Sequence, residues 1–136
     1  MTSQEQFHEL SFYTLSLQDK YFIHQHIVDA YAAQTADINT KPIKIIFSLV
    51  GLYLFIEKKY TGREVQLAHM QMAENKITWQ KIILPIKRGN INVSDVLTKT
   101  AGPERDAMIK QWCVSVWDAF QNSRQTIISI TETTLK

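Results

Sequence analysis

The sequence predicts an all-α protein, a compact helical bundle of four main helices plus a short helix, with an irregular extended arm around residues 75–92. Three observations carry this expectation. Apolar residues recur at steps of three and four through the last third of the chain, from Ile109 to Ile130. Only four glycines and three prolines punctuate 136 residues, which favours long helices over many short strands. Capping residues stand where helix starts need them, at Ser16, Thr40 and Thr61, with Pro42 just inside one start.

The first helix is expected from Glu5 to Leu15, with Phe7, Leu10, Phe12 and Leu15 as its apolar contacts. Ser16-Leu17-Gln18-Asp19 reads as a restart, the serine capping and Asp19 in the first turn. The second helix then runs to about Ala36 with the stripe Ile23, Ile27 and Ala30, spaced four and three. Thr40, Lys41 and Pro42 open the third, whose run from Ile45 to Ile56 is twelve residues without a charge. A membrane span needs about 20, so this reads as a central helix enclosed by neighbours on nearly all sides. Thr61-Gly62-Arg63-Glu64 ends it and starts the fourth: Gly62 suits a left-handed terminator, and Thr61 with Glu64 has capping-box spacing.

The fourth helix is expected to reach about Glu74. Residues 75–92 then carry Ile77, Trp79, Ile82, Ile83, Leu84, Pro85 and Ile86 without helical continuity. A plain loop of that length is uncommon, so these residues read as an extended apolar arm laid over the bundle, with strand open for part of it. A short helix follows around Val93 to Thr98. Gly102-Pro103-Glu104 opens one long last helix, its stripe being Ile109, Trp112, Cys113, Val116, Phe120, Ser123, Ile127 and Ile130.

Residues 1–136 fit a single helical domain, with no room for a second substantial core. At 45% hydrophobic and 21% charged residues the composition is globular. The lone Cys113 excludes an internal disulfide framework and a Cys-rich zinc site. Net charge is +2, but residues 1–40 carry one positive and five negative groups (−4) while residues 41–99 carry ten and four (+6). An acidic segment beside a basic one reads as intramolecular complementarity. No run of like charge suits a polyanion, so neither a nucleic-acid nor a membrane partner is expected. The polar start, Met1-Thr2-Ser3-Gln4-Glu5-Gln6, is no secretory signal, and a cytoplasmic location is expected.

Phosphate-binding glycine loops, Cys-x-x-Cys pairs, His-Glu-x-x-His and Gly-x-Ser-x-Gly are all absent. The candidate ligand-binding residues are His24, Asp29, Tyr31, Gln34, His69 and Arg88. His24 and His26 point roughly 160° apart on one helix, so they cannot close on one metal ion. His24 shares a shoulder with Tyr31, and His26 shares the opposite one with Asp29; both histidines read first as boundary residues bonded to neighbours. Gln34 falls in line with Ile23, Ile27 and Ala30, which makes it a core amide needing partners. His69 shares a face with Val65 and Met72, an inward imidazole that a backbone carbonyl would satisfy. Arg88, in Lys87-Arg88-Gly89, is an anion-binding candidate that a solvated turn explains equally well. Cys113, mid-helix beside Trp112, reads as a small apolar group rather than a nucleophile. No metal site and no cofactor are expected.

Several segments taken together resemble a known family. They are His8-Glu9-Leu10, Val28-Asp29-Ala30-Tyr31-Ala32-Ala33-Gln34, Leu49-Val50-Gly51-Leu52, Arg88-Gly89 with Val93-Ser94-Asp95-Val96, and Trp112 through Val116-Trp117. Their order, over roughly residues 7–120, is similar to a family of small bacterial proteins classed as a domain of unknown function. The resemblance implies a bacterial cytosolic protein with no assigned activity. The family's pattern places histidine after the Gln34 position in many members, where this chain has Thr35. Another histidine often falls in the Leu-x-Gly-Leu helix, where this chain has Ser48, and more lie near Asn122-Ser123. An N-terminal Cys-x-x-Cys of some relatives is missing too. If those histidines bind metal in relatives, this chain has lost the ligands.

The function expected is that of a noncatalytic domain binding a small molecule or a protein partner, with homo-oligomerisation open. The polar shoulder of the second helix is the expected surface. The alternative is a small enzyme, a hydrolase or a metal-assisted one, using His24, His69 and Asp29 or Arg88. An enzyme should bring at least two of these side chains within about 4 Å of one bound atom in a concave pocket.

Overall fold

The computed structural model describes residues 1–135, and among them it holds seven α-helices and no strand. Thr2 accepts from Glu5 N while Glu5 reaches back to Thr2 N, a capping box that starts α1 at Ser3–Ser16. Leu10 and Thr14 are its buried positions; Phe12 and Leu15, expected inside, are exposed because that face meets no neighbouring helix.

The restart expected at Ser16 does not occur. Ser16 Oγ donates back to Tyr13 O, and the chain leaves the helix through left-handed Gln18 and Phe22. Asp19 instead accepts from Ile23 N at 3.1 Å, so α2 spans His24–Thr35. The third cap also moved: Thr40 bonds Asp37, and α3, Pro42–Lys58, starts from Lys41 with proline in its first turn. Ile45, Ile46 and Ser48 through Leu54 are all buried, enclosed by α2, α4, α6 and α7.

Lys59, not Gly62, adopts the left-handed conformation that ends α3. The glycine is required for space: a Cβ on Gly62 would lie 1.8 Å from Phe22 O. Thr61 and Glu64 form the expected capping box of α4, Gly62–Met72. Residues 75–92 are irregular, with no strand among them. A third capping box, Asn92 with Asp95, starts α5 at Val93–Leu97.

The long last helix is two. α6 covers Pro103–Ala119, a 3₁₀ turn covers Gln121–Ser123, and α7 covers Arg124–Thr134. Phe120 N bonds Trp117 O and Ser123 N bonds Phe120 O, tightening the backbone without a glycine or proline to announce it. Phe120 and Ile127 remain buried on either side of the turn, so the apolar stripe survives the break.

Candidate functional site

The two shoulders of α2 meet different neighbours. His24 Nδ1 lies 2.9 Å from Thr14 Oγ1 on α1, and burial holds its pKa below the ordinary value. Tyr31, on the same shoulder, stacks on Phe7 at 4.2 Å and meets Ser3 Oγ through its hydroxyl. His26 turns instead to α3, where its ring stacks on Phe55 at 3.5 Å, nearly parallel.

Asp29 is sealed beneath the α2–α3 contact. Gln25 Nε2 donates to its Oδ1 at 3.2 Å, while Oδ2 is buried and meets no donor or acceptor among the described residues. Burial raises its pKa well above the usual aspartate value, against the Gln25 bond, and so favours the neutral acid. It fits because residue 51 is glycine; a Cβ there would stand 2.0 Å from Oδ2. Cys113 lies in the same interior, donating weakly to His26 O at 3.6 Å, and burial pushes its thiol far above reactive range.

Gln34 and Arg88 interlock. The amide donates to Arg88 O at 3.1 Å and Ile91 O at 2.7 Å, and its oxygen accepts from Trp112 Nε1 at 2.9 Å. Arg88 in turn donates to Gln34 O, Ala36 O and Pro85 O. The guanidinium thus closes the C-terminal end of α2 and ties the arm to it. His69 Nε2 meets Phe47 O at 2.7 Å, and burial lowers its pKa against the pull of that carbonyl. Among His24, Asp29, His69 and Arg88, no two share a hydrogen-bond partner. The structure brings together only Gln34 and Arg88 of the six candidates. No group of three His, Cys, Asp or Glu side chains is placed to hold a metal ion among the described residues.

A concavity lies beside this interior, between the 17–23 loop, the end of α3 and α6. It measures about 750 Å³. Its wall is apolar and aromatic: Leu17, Tyr21, Ile23, Phe55, Ile56 and Tyr60, with the His26 ring at its floor. Burial pushes His26 down to about 4, against the nearby charge of Asp19, so this floor is neutral at physiological pH. Four charged residues line it: Asp19, Asp106, Lys59 and Lys110. Both carboxylates are engaged, Asp19 by Ile23 N and Asp106 by the Tyr13 hydroxyl at 2.7 Å. Neither lysine side chain makes a hydrogen bond or ion pair among the described residues. The sequence favoured a boundary role for His26 over a place on a pocket-lining shoulder, and did not single out Lys59, Lys110 or Phe55 for the site. Lys59 had one signal, its place directly after a long apolar helix; Lys110 had none.

The sequence model of a family of unknown function, DUF5946, matches residues 3–121. The match thus ends within the turn before α7. No curated protein and no solved structure matches the chain.

Proposed function

The chain belongs to this family of unknown function, DUF5946, and from that premise we propose that it is a noncatalytic small-molecule-binding protein whose site is the cavity floored by His26. The observation that carries the reading is the pairing of an apolar, neutral interior with two unengaged ammonium groups, Lys59 and Lys110, where both carboxylates already have partners. Such a site suits an amphipathic organic anion, its flat apolar body on the His26–Phe55 floor and its acidic head at the lysines. The side chains nearest the floor argue for binding over chemistry. His26 is neutral near pH 7, the Cys113 thiol is held un-ionised, and Asp29 is enclosed; neither Asp29 nor Cys113 lines the cavity, so neither is placed to act on a bound molecule. The partner is thus a small molecule rather than a protein, and the site adjoins the shoulder of α2 that holds His26 and Asp29, where the sequence expected one polar shoulder of this helix without choosing between the two. We also take the chain as a bacterial cytoplasmic protein: no helix among the described residues is long and apolar enough to cross a membrane, and the one cysteine is unpaired.

Fluorescence titration with anilinonaphthalene sulfonate, an aromatic body carrying one sulfonate, tests the proposal. Lys59→Gln and Lys110→Gln should each weaken binding about fivefold to tenfold. Met70→Ser, exposed on α4 away from the cavity, should leave it unchanged. Equal affinity in the wild type and both lysine variants would overturn the reading.

A further inference from the structure

The composition average conceals a local surface of a different character. The segment of residues 36–44, a loop that runs into the first turn of α3, and the arm segment of residues 81–88 lie side by side, lining one concavity of about 470 Å³ through Ile38, Pro42, Ile82 and Ile83. Ile38 is 88% exposed, Ile83 86% and Ile86 102%, with Ile43 partly exposed beside them. Isolated exposed apolar residues are ordinary, but three aliphatic side chains standing free on adjoining segments are not. These two segments hold five cations, Lys41, Lys44, Lys81, Lys87 and Arg88, against one carboxylate, Asp37. The four lysines are exposed and make no ion pair among the described residues, and Asp37 is turned onto Asn39 N and Thr40.

From this arrangement we propose that the 36–44 loop and the 81–88 arm form a docking surface for the face of an anionic lipid bilayer, with Ile38, Ile83 and Ile86 entering the headgroup boundary and the lysines meeting acidic headgroups. The chemistry separates this partner from a protein. Protein interfaces favour aromatic residues, methionine and arginine and are depleted in lysine, whereas the fully protruding apolar groups here are isoleucines and four of the five cations are lysines. Side chains that protrude fully suit a deformable apolar phase, which needs no matching recess. Lysines gain from the negative potential of a cytoplasmic leaflet, and aliphatic tips gain by leaving water, so each supports what the other could not hold alone. Attachment is peripheral, since no helix among the described residues can cross. The chain's net charge of +2 averages away this local excess, which is why composition alone points to no membrane partner.

Co-sedimentation with vesicles rich in phosphatidylserine, and with pure phosphatidylcholine vesicles, decides the matter. The full chain should bind the first and not the second, and raised salt should weaken binding. Lys81→Gln with Lys87→Gln should lower the partition coefficient about 25-fold, and Ile83→Ser with Ile86→Ser at least tenfold. These positions are solvent-exposed, so circular dichroism should not change. Absence of binding to acidic vesicles overturns the proposal. So does binding that survives the isoleucine changes, or a concentration-dependent dimer that those changes abolish while vesicles are ignored.

Discussion

Asp29 and Gly51 face each other across the α2–α3 contact so closely that the carboxyl occupies the space a β-carbon at position 51 would need, 2.0 Å from Oδ2 and 2.6 Å from Cγ. A buried acid is thereby held against a bare helix backbone. In an unconstrained helix, glycine to alanine stabilises by about 1 kcal/mol. Here Gly51→Ala should destabilise by about 1–3 kcal/mol through overpacking. In an Asp29→Ala background the same change should become stabilising. A double-mutant cycle in denaturant checks this, and additive effects would defeat it.

The titration of this region should leave an opposed pair of pH slopes. Folded Asp29, its pKa raised by burial, keeps a proton that the unfolded chain releases. Its contribution is therefore complete below the ordinary value of 3.8 and declines as pH rises, by up to about 1.4 kcal/mol per pH unit. Folded His26 stays neutral down to about 4, whereas an unfolded histidine takes a proton below 6.5. Acidification through that window costs stability at a similar slope. Above about pH 4 the two slopes therefore oppose each other in the wild type. Asp29→Asn should uncover a loss of stability on acidification, and His26→Gln a gain. Urea midpoints across this range measure both, and parallel pH profiles for the three proteins would exclude the account.

Gln34→Leu should cost about 1–3 kcal/mol, because it strands the Trp112 indole N–H together with the Arg88 and Ile91 carbonyls. The arm should loosen with it. Limited proteolysis is expected to cut within residues 75–92 faster than in the wild type, while probe binding at the His26 cavity is retained. An unchanged cleavage pattern would show that the amide does not anchor the arm.

Gly62→Ala should do more harm than Gly51→Ala, since its β-carbon would meet a backbone atom, Phe22 O, at 1.8 Å. The 17–23 loop that walls the cavity must then move. A loss of about 2 kcal/mol or more should accompany weaker binding of anilinonaphthalene sulfonate. Unaltered affinity would mean that the loop does not shape the site.

Helix faces were legible where apolar spacing was strict. The four-and-three spacing of Ile23, Ile27 and Ala30 set Gln34 in line with the core and in need of partners; it is half-buried rather than enclosed and carries three hydrogen bonds. It also sent His24 and His26 to opposite neighbours. The enclosure of α3 followed from its uncharged run. Loop geometry was not legible, for local reasons. Ser16 and Asp19 have the chemistry of a helix start, yet the same side chains serve equally well at a helix end and in the turn before the next. The break at Phe120 keeps the apolar stripe in place, so periodicity alone cannot reveal it. The cavity arises because a loop, a helix end and Lys110 of α6 converge, and no sequence spacing encodes that convergence.

The split between α6 and α7 bears on how the chain is made. α3 is the most apolar helix, and α7 covers one side of it, fastened by Arg124 on the Glu57 carboxylate, to which Trp117 Nε1 of α6 also donates. That cover is translated long after α3 itself. During synthesis the hydrophobic centre is therefore complete in sequence but open on one flank, a period in which a chaperone or a neighbouring nascent chain can occupy the place reserved for α7.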